Sequence, residues 1–237
     1  MGRPIQATGS NIAALARHYR AITHNLSNAN TAGFKRRIGS MSQSSGGASS
    51  AGKIEDNVSV DFEQGRLVHT GRPLDFALEG KNSFFVVETP QGPLYTRNGV
   101  FRINAQGQLV DAAGRMVSGQ SGPIVIPPDV GASGVNVSGE GRISGRGQVI
   151  GTIKVVEFDE PAKLTPVGGV AFKAPSGTSP KPAVNPAVCQ RFQEASNVVP
   201  VEELVDLITL SRLYEANFKT IGSQDDRMKS IIQVAMG

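Results

Sequence analysis

Two stretches of this chain carry apolar residues at alternating steps of three and four. Positions 5, 8, 12, 15, 19, 22, 26 and 29 hold Ile5, Thr8, Ile12, Leu15, Tyr19, Ile22, Leu26 and Ala29, a heptad-type stripe with one polar interruption. Positions 207, 211, 214, 218, 221, 225, 228, 232 and 235 hold Leu207, Ser211, Tyr214, Phe218, Ile221, Asp225, Met228, Ile232 and Ala235, the same spacing with two interruptions. The spacing predicts an amphipathic helix at each end. The first stops at the amide-rich run "NLSNANTAGFK", residues 25–35, where Gly33 suits a left-handed cap. The second starts clearly: Asn197 can cap it, Pro200 suits its first turn, and Glu202 and Glu203 favour the positive helix end. From there to Ala235 is about 50 Å at 1.5 Å per residue. A narrow stripe on so long a helix buries too little by itself, so each helix is expected to take the other as partner.

Between them the period changes. Residues 39–52, "GSMSQSSGGASSAG", form a Gly/Ser tract expected to be a flexible connector. From Val58 the pattern reads as short strands: "VSVDF" alternates, "FALEG" and "SFFVVET" are apolar runs, and "PIVIPP", "VNVSGEGRI" and "VIGTIKVVEF" continue the series. Asn98-Gly99 is a two-residue hairpin signal, and Gly107 and Gly114 mark two more turns. Turns recur about every 8–12 residues, as in an antiparallel sandwich- or barrel-like domain. Residues 173–190 are Pro-rich and read as an extended return. The expected fold is therefore α+β: N- and C-terminal helices pairing as a coiled-coil-like hairpin, with an inserted antiparallel, mainly-β body. The expected division is 1–37 for the first helix, 38–57 for the connector, 58–190 for the β body and 191–237 for the second helix.

Composition narrows the possible functions. The 237 residues are 39% hydrophobic, enough for a real core, but only 5% aromatic with no Trp. That argues against an aromatic-lined ligand pocket or a base-stacking platform. Cys189 is the one cysteine, so no disulfide forms within the chain. No run of about 18 apolar residues is present, so no membrane span is expected, and no secretory-type apolar stretch opens the chain. The net charge of +4 is unevenly spread. Residues 1–40 carry Arg3, Arg17, Arg20, Lys35, Arg36 and Arg37 and no acid. Residues 194–237 carry Glu194, Glu202, Glu203, Asp206, Glu215, Asp225 and Asp226 against Arg212, Lys219, Arg227 and Lys229. A basic end and an acidic end can attract each other or the opposite ends of neighbouring copies.

Catalytic chemistry finds little support. His18 and His24 lie six apart, about 120° around a helix, and make poor metal partners; no Cys or His pair has metal-ligand spacing. No metal or cofactor is expected. "GEGRISGRGQ", residues 139–148, is glycine-rich and basic, but a strand-like segment follows where a phosphate cradle needs a helix, so it reads as hairpin turns. Cys189 lacks a nearby His and reads as an incidental thiol. "FKRR", residues 34–37, with Arg17 and Arg20, is too small and too poor in aromatics for a nucleic-acid surface. A β-domain enzyme or ligand-binding module would have to be built from Asp75, Glu79 and Glu157, which nothing pairs.

Three separated segments carry a family resemblance. "NLSNANTAGFKRR" (25–37) resembles the N-terminal signature of the bacterial flagellar rod and hook proteins. "EASNVVPVEELVDLITLSRLYEANFKTIGSQDDRM" (194–228) is similar to that family's C-terminal helix. "TGRPLDFALEGKNSFFVV" (70–87) and "LYTRNGVFRINAQGQLVDAAGRMV" (94–117) resemble its β body. The compact body and the "SNVVPVEELV" form resemble a rod protein most, with the distal rod protein as the next alternative and minor hook–basal-body proteins after it. The opening "MGRPIQATGS" stands where members often have an acidic and aromatic patch. The resemblance implies a structural subunit, not an enzyme, in the basal body. Its terminal helices would stack with those of other rod proteins and of its own copies around an axial tube, and it would be exported by the flagellar type III apparatus. Neither nucleic acid nor a small-molecule substrate is expected as a partner. The residues expected at subunit contacts are Ile12, Leu15, Tyr19, Ile22, Leu26, Asn28, Asn30, Gly33 and Phe34 near the first helix, and Asn197, Leu204, Leu207, Ile208, Tyr214, Phe218, Ile221, Met228 and Ile232 near the second. The stripe containing Leu204, Ile208, Phe218 and Ile232 is expected to face mainly the chain's own first helix. The amides of the Asn-rich stop are expected to satisfy helix-end carbonyls and neighbouring subunits, with Phe34 anchoring the connector.

Overall fold

A computed structural model describes residues 3–39 and 58–236. Most of the expected connector, residues 40–57, lies outside the described residues. The chain forms two compact units. One holds residues 1–27, 37–59 and 199–237; the other holds 28–36 and 60–198.

The first unit contains two helices, α1 (Arg3–Ser27) and α2 (Pro200–Met236). A short strand, Arg37–Gly39, packs beside α1 and pairs with Val58–Val60. The helices do not form the expected coiled-coil hairpin. Among the described residues, Leu15, Ile22 and Leu210 are buried between them, with Leu26, Leu207 and Tyr214 against this core. Of the positions assigned to the stripes, Ser211, Phe218 and Tyr19 are exposed. Leu210, which belonged to neither stripe, is 2% exposed. The reason is that α2 carries apolar residues around much of its first half. The face meeting α1 runs through Glu203, Leu207, Leu210 and Tyr214, and among the described residues no sustained seam follows from it.

The β body is built outward from one strand. Ser83–Glu88 reads as a continuous apolar run because both of its faces are covered. Successive side chains alternate sides. Phe85 and Val87 enter a large core with Leu74, Phe76, Phe101, Leu109, Val117 and Ile153. Phe84 and Val86 enter a second core with Phe62, Tyr95, Phe158 and Phe172, in which edge-to-face rings recur, as between Tyr95 and Phe158 at 4.8 Å. One flank of this strand pairs antiparallel with Leu94–Thr96. The other is shared by Val155–Glu157 and Met116–Gly119. The sheet continues through Ala171–Lys173 to Thr165–Val167 on one side, and through Leu109–Val110 to Arg102–Ile103 on the other.

Smaller antiparallel pairings complete the body: a three-stranded sheet of Val135–Val137, Arg142–Gly145 and Gln148–Thr152, and the pairs Val188–Gln190 with Phe76–Leu78 and Phe192–Glu194 with Leu67–His69. The turns expected at Gly107 and Gly114 join paired strands, and "GEGRISGRGQ" forms a hairpin whose loop is Arg146-Gly147, both at positive φ. Asn98-Gly99 is not a hairpin turn. The strands flanking it pair with other partners, and Asn98 Oδ1 instead accepts from the Val100 N–H at 2.9 Å. Gly99 is there for close approach: a Cβ would lie 1.9 Å from the Phe76 carbonyl oxygen.

Candidate functional site

Two amides of the Asn-rich stop at the end of α1, Asn25 and Asn28, are bonded within the chain. In the helical unit, Asn25 is buried and acts as a backbone mimic. Its Oδ1 accepts from the Arg37 N–H at 2.8 Å, and its Nδ2 donates to the Arg37 carbonyl at 2.9 Å. The same Nδ2 donates to Glu203 Oε2 at 3.1 Å. One side chain thus ties α1 to the strand after it and to the first turn of α2, a three-way junction that satisfies groups no helix could satisfy alone.

In the β unit, residues 28–36 lie in a lock centred on Glu194. Gly33 adopts φ +67, its N–H donates to the Glu194 carbonyl at 2.7 Å, and a Cβ there would meet the Asn98 backbone nitrogen at 2.3 Å. Phe34 is buried beside it in the chain, as an anchor requires. Lys35 Nζ lies 2.6 Å from Glu194 Oε1 and donates to the Glu63 carbonyl at 2.5 Å. On the other carboxylate oxygen, Arg97 brings Nη2 to 2.7 Å and Nε to 2.8 Å, a two-pronged contact. Arg97 also donates to the carbonyls of Ser83 and Leu78, and its guanidinium stands 6.0 Å from the Phe84 ring centre. All three ionic side chains are at most 1% exposed. Burial pulls the Lys35 ammonium below the ordinary lysine value, opposed by the attraction of Glu194, and the Arg97 guanidinium is lowered for the same first reason.

Asn197, expected to cap α2, does something else. Its Oδ1 accepts from the Arg36 N–H at 2.7 Å, and its Nδ2 donates to the Asp61 carbonyl at 3.0 Å. It is a clamp on residues 36 and 61, three residues ahead of the helix.

The expected contact residues separate into three groups. Leu15, Ile22 and Phe34 are buried, and Leu26, Leu207 and Tyr214 are half-buried against the helix contact. Ile12, whose carbonyl is 3.5 Å from the Tyr214 hydroxyl, is also half-buried. Asn28 and Gly33 belong to the turn after α1, where Asn28 Oδ1 accepts from the Thr31 hydroxyl at 3.2 Å. Tyr19, Asn30, Leu204, Ile208 and Phe218 face water. Leu204 and Ile208 do not face α1, contrary to expectation: 100° per residue puts them on the side of α2 away from Leu210. Val201 and Val205 join them there. The side chains of Ile221, Met228 and Ile232 lie outside the described residues.

The outer side of α1 is basic: Arg17, Tyr19, Arg20, Thr23, His24 and Arg37 line an open cleft of about 480 Å³. Burial, then the charge of Arg37, lowers the His24 pKa.

The acids named for a catalytic alternative have separate partners. Asp75 accepts from Thr70, Glu157 from Ser83, and Glu79 stands 3.5 Å from the Cys189 sulfur. Burial and Glu79 raise the Cys189 thiol's pKa. Among the described residues no group of three His, Cys, Asp or Glu is placed to hold a metal ion, and no helix is long and apolar enough to cross a membrane. Sequence reading missed Asn25, Arg97, Glu194, Glu203 and Leu210 as organising residues. The lock has no local signature, because Glu194 lies 97 residues from Arg97 and 159 from Lys35. The one available hint was a cation, Lys35, directly after an apolar anchor with no acid in the first 40 residues.

Comparison with known proteins agrees with this layout. Residues 77–145 match the model of the flagellar hook protein FlgE/F/G D1 domain, and 190–234 match that of the flagellar basal body rod FlgEFG protein C-terminal region. The chain is 31% identical to the flagellar basal-body rod protein FlgF of Caulobacter vibrioides over 92% of both chains. It is 30% identical to FlgF of Mesorhizobium japonicum, over 92% of this chain and 93% of that one. To the rod protein FlgG of Caulobacter vibrioides it is 31% identical over 97% of this chain and 98% of that one. With such agreement along nearly its whole length, the chain belongs to the flagellar basal-body rod protein family.

Proposed function

We propose that this chain is a structural subunit of the flagellar basal-body rod, of the FlgF type, that joins its neighbours through the outer faces of its terminal helices. The observation that carries the assembly reading is the apolar outer stripe of α2. Leu204 is 49% and Ile208 55% exposed, flanked by the exposed Val201 and Val205, on a helix whose opposite side already packs on α1. A helix that is apolar on two sides is stable in water only when both are covered. The occupants are other rod proteins and copies of the chain itself, and contacts of this head-to-tail kind extend into filaments when they do not close. Tyr19, Asn30 and Phe218 are the other expected contact residues free to take part. The basic outer side of α1 suits the acidic residues Glu202 and Glu215 of a neighbour's second helix.

The role is structural rather than catalytic, and the chain reaches the basal body through the flagellar export apparatus. The FlgF type is favoured over FlgG by length. Alignment with FlgG of Caulobacter vibrioides runs over 263 positions, more than the 237 residues here, whereas the FlgF alignment takes 228. Complementation tests the reading. A strain lacking the gene regains motility with the native chain and fails to do so with Leu204→Asp/Ile208→Asp, whose protein is exported but absent from purified basal bodies. Normal incorporation of that variant would remove the outer stripe as an assembly surface.

A further inference from the structure

We propose that Lys35, Arg97 and Glu194 form a closure switch that makes folding of the β body conditional on its last strand. Among the described residues, Glu194 is the only carboxylate bonded to either cation, and it serves both: Oε1 faces Lys35 and Oε2 faces Arg97. Both cations are fully buried on parts of the chain that precede it, one just after α1 and one beside the central sheet. Asp61 adds a weaker attraction to Lys35. Without residue 194 the body can close only by stripping water from two cations that have no bonded counter-charge.

The backbone converges on the same residue. Gly33 donates to the Glu194 carbonyl at 2.7 Å, Gly65 donates to its Oε1 at 3.0 Å, and the next residue, Ala195, donates to the Arg66 carbonyl at 2.9 Å. Gly65 permits this, since a Cβ there would stand 1.9 Å from the Ala195 oxygen. Three segments distant in sequence therefore take their final places only when the strand Phe192–Glu194 docks on Leu67–His69. A chain that emerges N-terminus first carries Lys35 for 159 residues and Arg97 for 97 before the balancing acid arrives, and it stays open until then. The inference concerns the isolated chain and stands apart from the rod assignment.

The test is amide hydrogen exchange on the full-length chain and its variants. In Glu194→Gln both cations are orphaned, and the amides of Ser83–Glu88 and Leu94–Thr96 lose about a hundredfold or more of their protection, in step with those of Phe192–Glu194. Lys35→Met loses less, because Glu194 keeps Arg97. The apolar triple variant Lys35→Met/Arg97→Met/Glu194→Met recovers protection to within about tenfold of the native chain, since nothing charged remains to be balanced. Loss confined to Phe192–Glu194 and Leu67–His69 in Glu194→Gln would show a local pin rather than a switch. A triple variant no better protected than Glu194→Gln would show that charge balance is not the cause. Either result overturns the proposal.

Discussion

Asn25 and Glu203 meet at 3.1 Å across 178 residues of sequence, each only 1% exposed. Because Asn25 also holds both backbone groups of Arg37, its removal opens three hydrogen bonds at once. Asn25→Ala is expected to cost about 3 kcal/mol. Glu203→Gln keeps an acceptor for the Asn25 amide and should cost less than about 1 kcal/mol. Asn25→Asp places two carboxylates in contact, so its deficit is largest at neutral pH and shrinks on acidification. Urea unfolding followed by far-ultraviolet circular dichroism, at two pH values, ranks the three.

The two sides of α2 predict opposite outcomes for neighbouring residues. Leu210 is buried against Leu15 and Ile22, and Leu210→Ala should destabilise the isolated chain by about 2–4 kcal/mol. Ile208, two positions away, is exposed, and Ile208→Ala should change stability by less than about 0.5 kcal/mol while lowering incorporation into basal bodies. Equal losses of stability for both variants would place Ile208 inside the helix contact.

These faces also show how far sequence reading reached. The helices at both ends, the turns at Gly107 and Gly114, and the doubly covered strand containing "SFFVV" were legible, because each leaves a periodic or conformational trace within a few residues. The inner face of α2 was not. Apolar residues on both sides of the helix allow more than one stripe, and 207, 211, 214 and 218 fit as well on paper as 203, 207, 210 and 214. Asn98-Gly99 misled because an Asn-Gly pair also serves where an Asx turn and a close backbone approach are needed. The Glu194 lock was invisible for a different reason: it is made by tertiary closure, and each of its charges taken alone reads as a solvated surface residue.

Gly33 and Gly114 separate two uses of glycine. Both have positive φ, but only Gly33 has backbone where a side chain would go, with the Asn98 nitrogen 2.3 Å from an added Cβ. Gly114 has nothing within 4 Å. Gly114→Ala should cost about 1 kcal/mol, the strain of the left-handed conformation alone. Gly33→Ala should cost more than about 4 kcal/mol, because the turn must also back away from Asn98 and take the Glu194 contact with it. Thermal and urea denaturation of the two variants measures the difference directly.

His24 gives the helical unit a mild dependence on acid. Its pKa is lowered in the fold, by burial first and by Arg37 second, so the folded state holds the ring neutral more firmly than the unfolded chain, where 6.5 is the ordinary value. Where the folded pKa lies below the unfolded one, the unfolded chain binds more protons, and stability rises with pH. The contribution of His24 is therefore complete above pH 6.5 and is lost as pH falls through the lowered value. His24→Gln removes this titration while keeping a polar side chain, so its stability should vary less between pH 7.5 and pH 5 than that of the native chain. Removing the cation instead, as in Arg37→Met, should raise the His24 pKa toward the ordinary value and so shrink the loss of stability on acidification. Proton NMR of the His24 ring, alongside unfolding curves across that range, reads both shifts; a His24 titration at or above the ordinary histidine value would contradict the burial and charge assigned to this position.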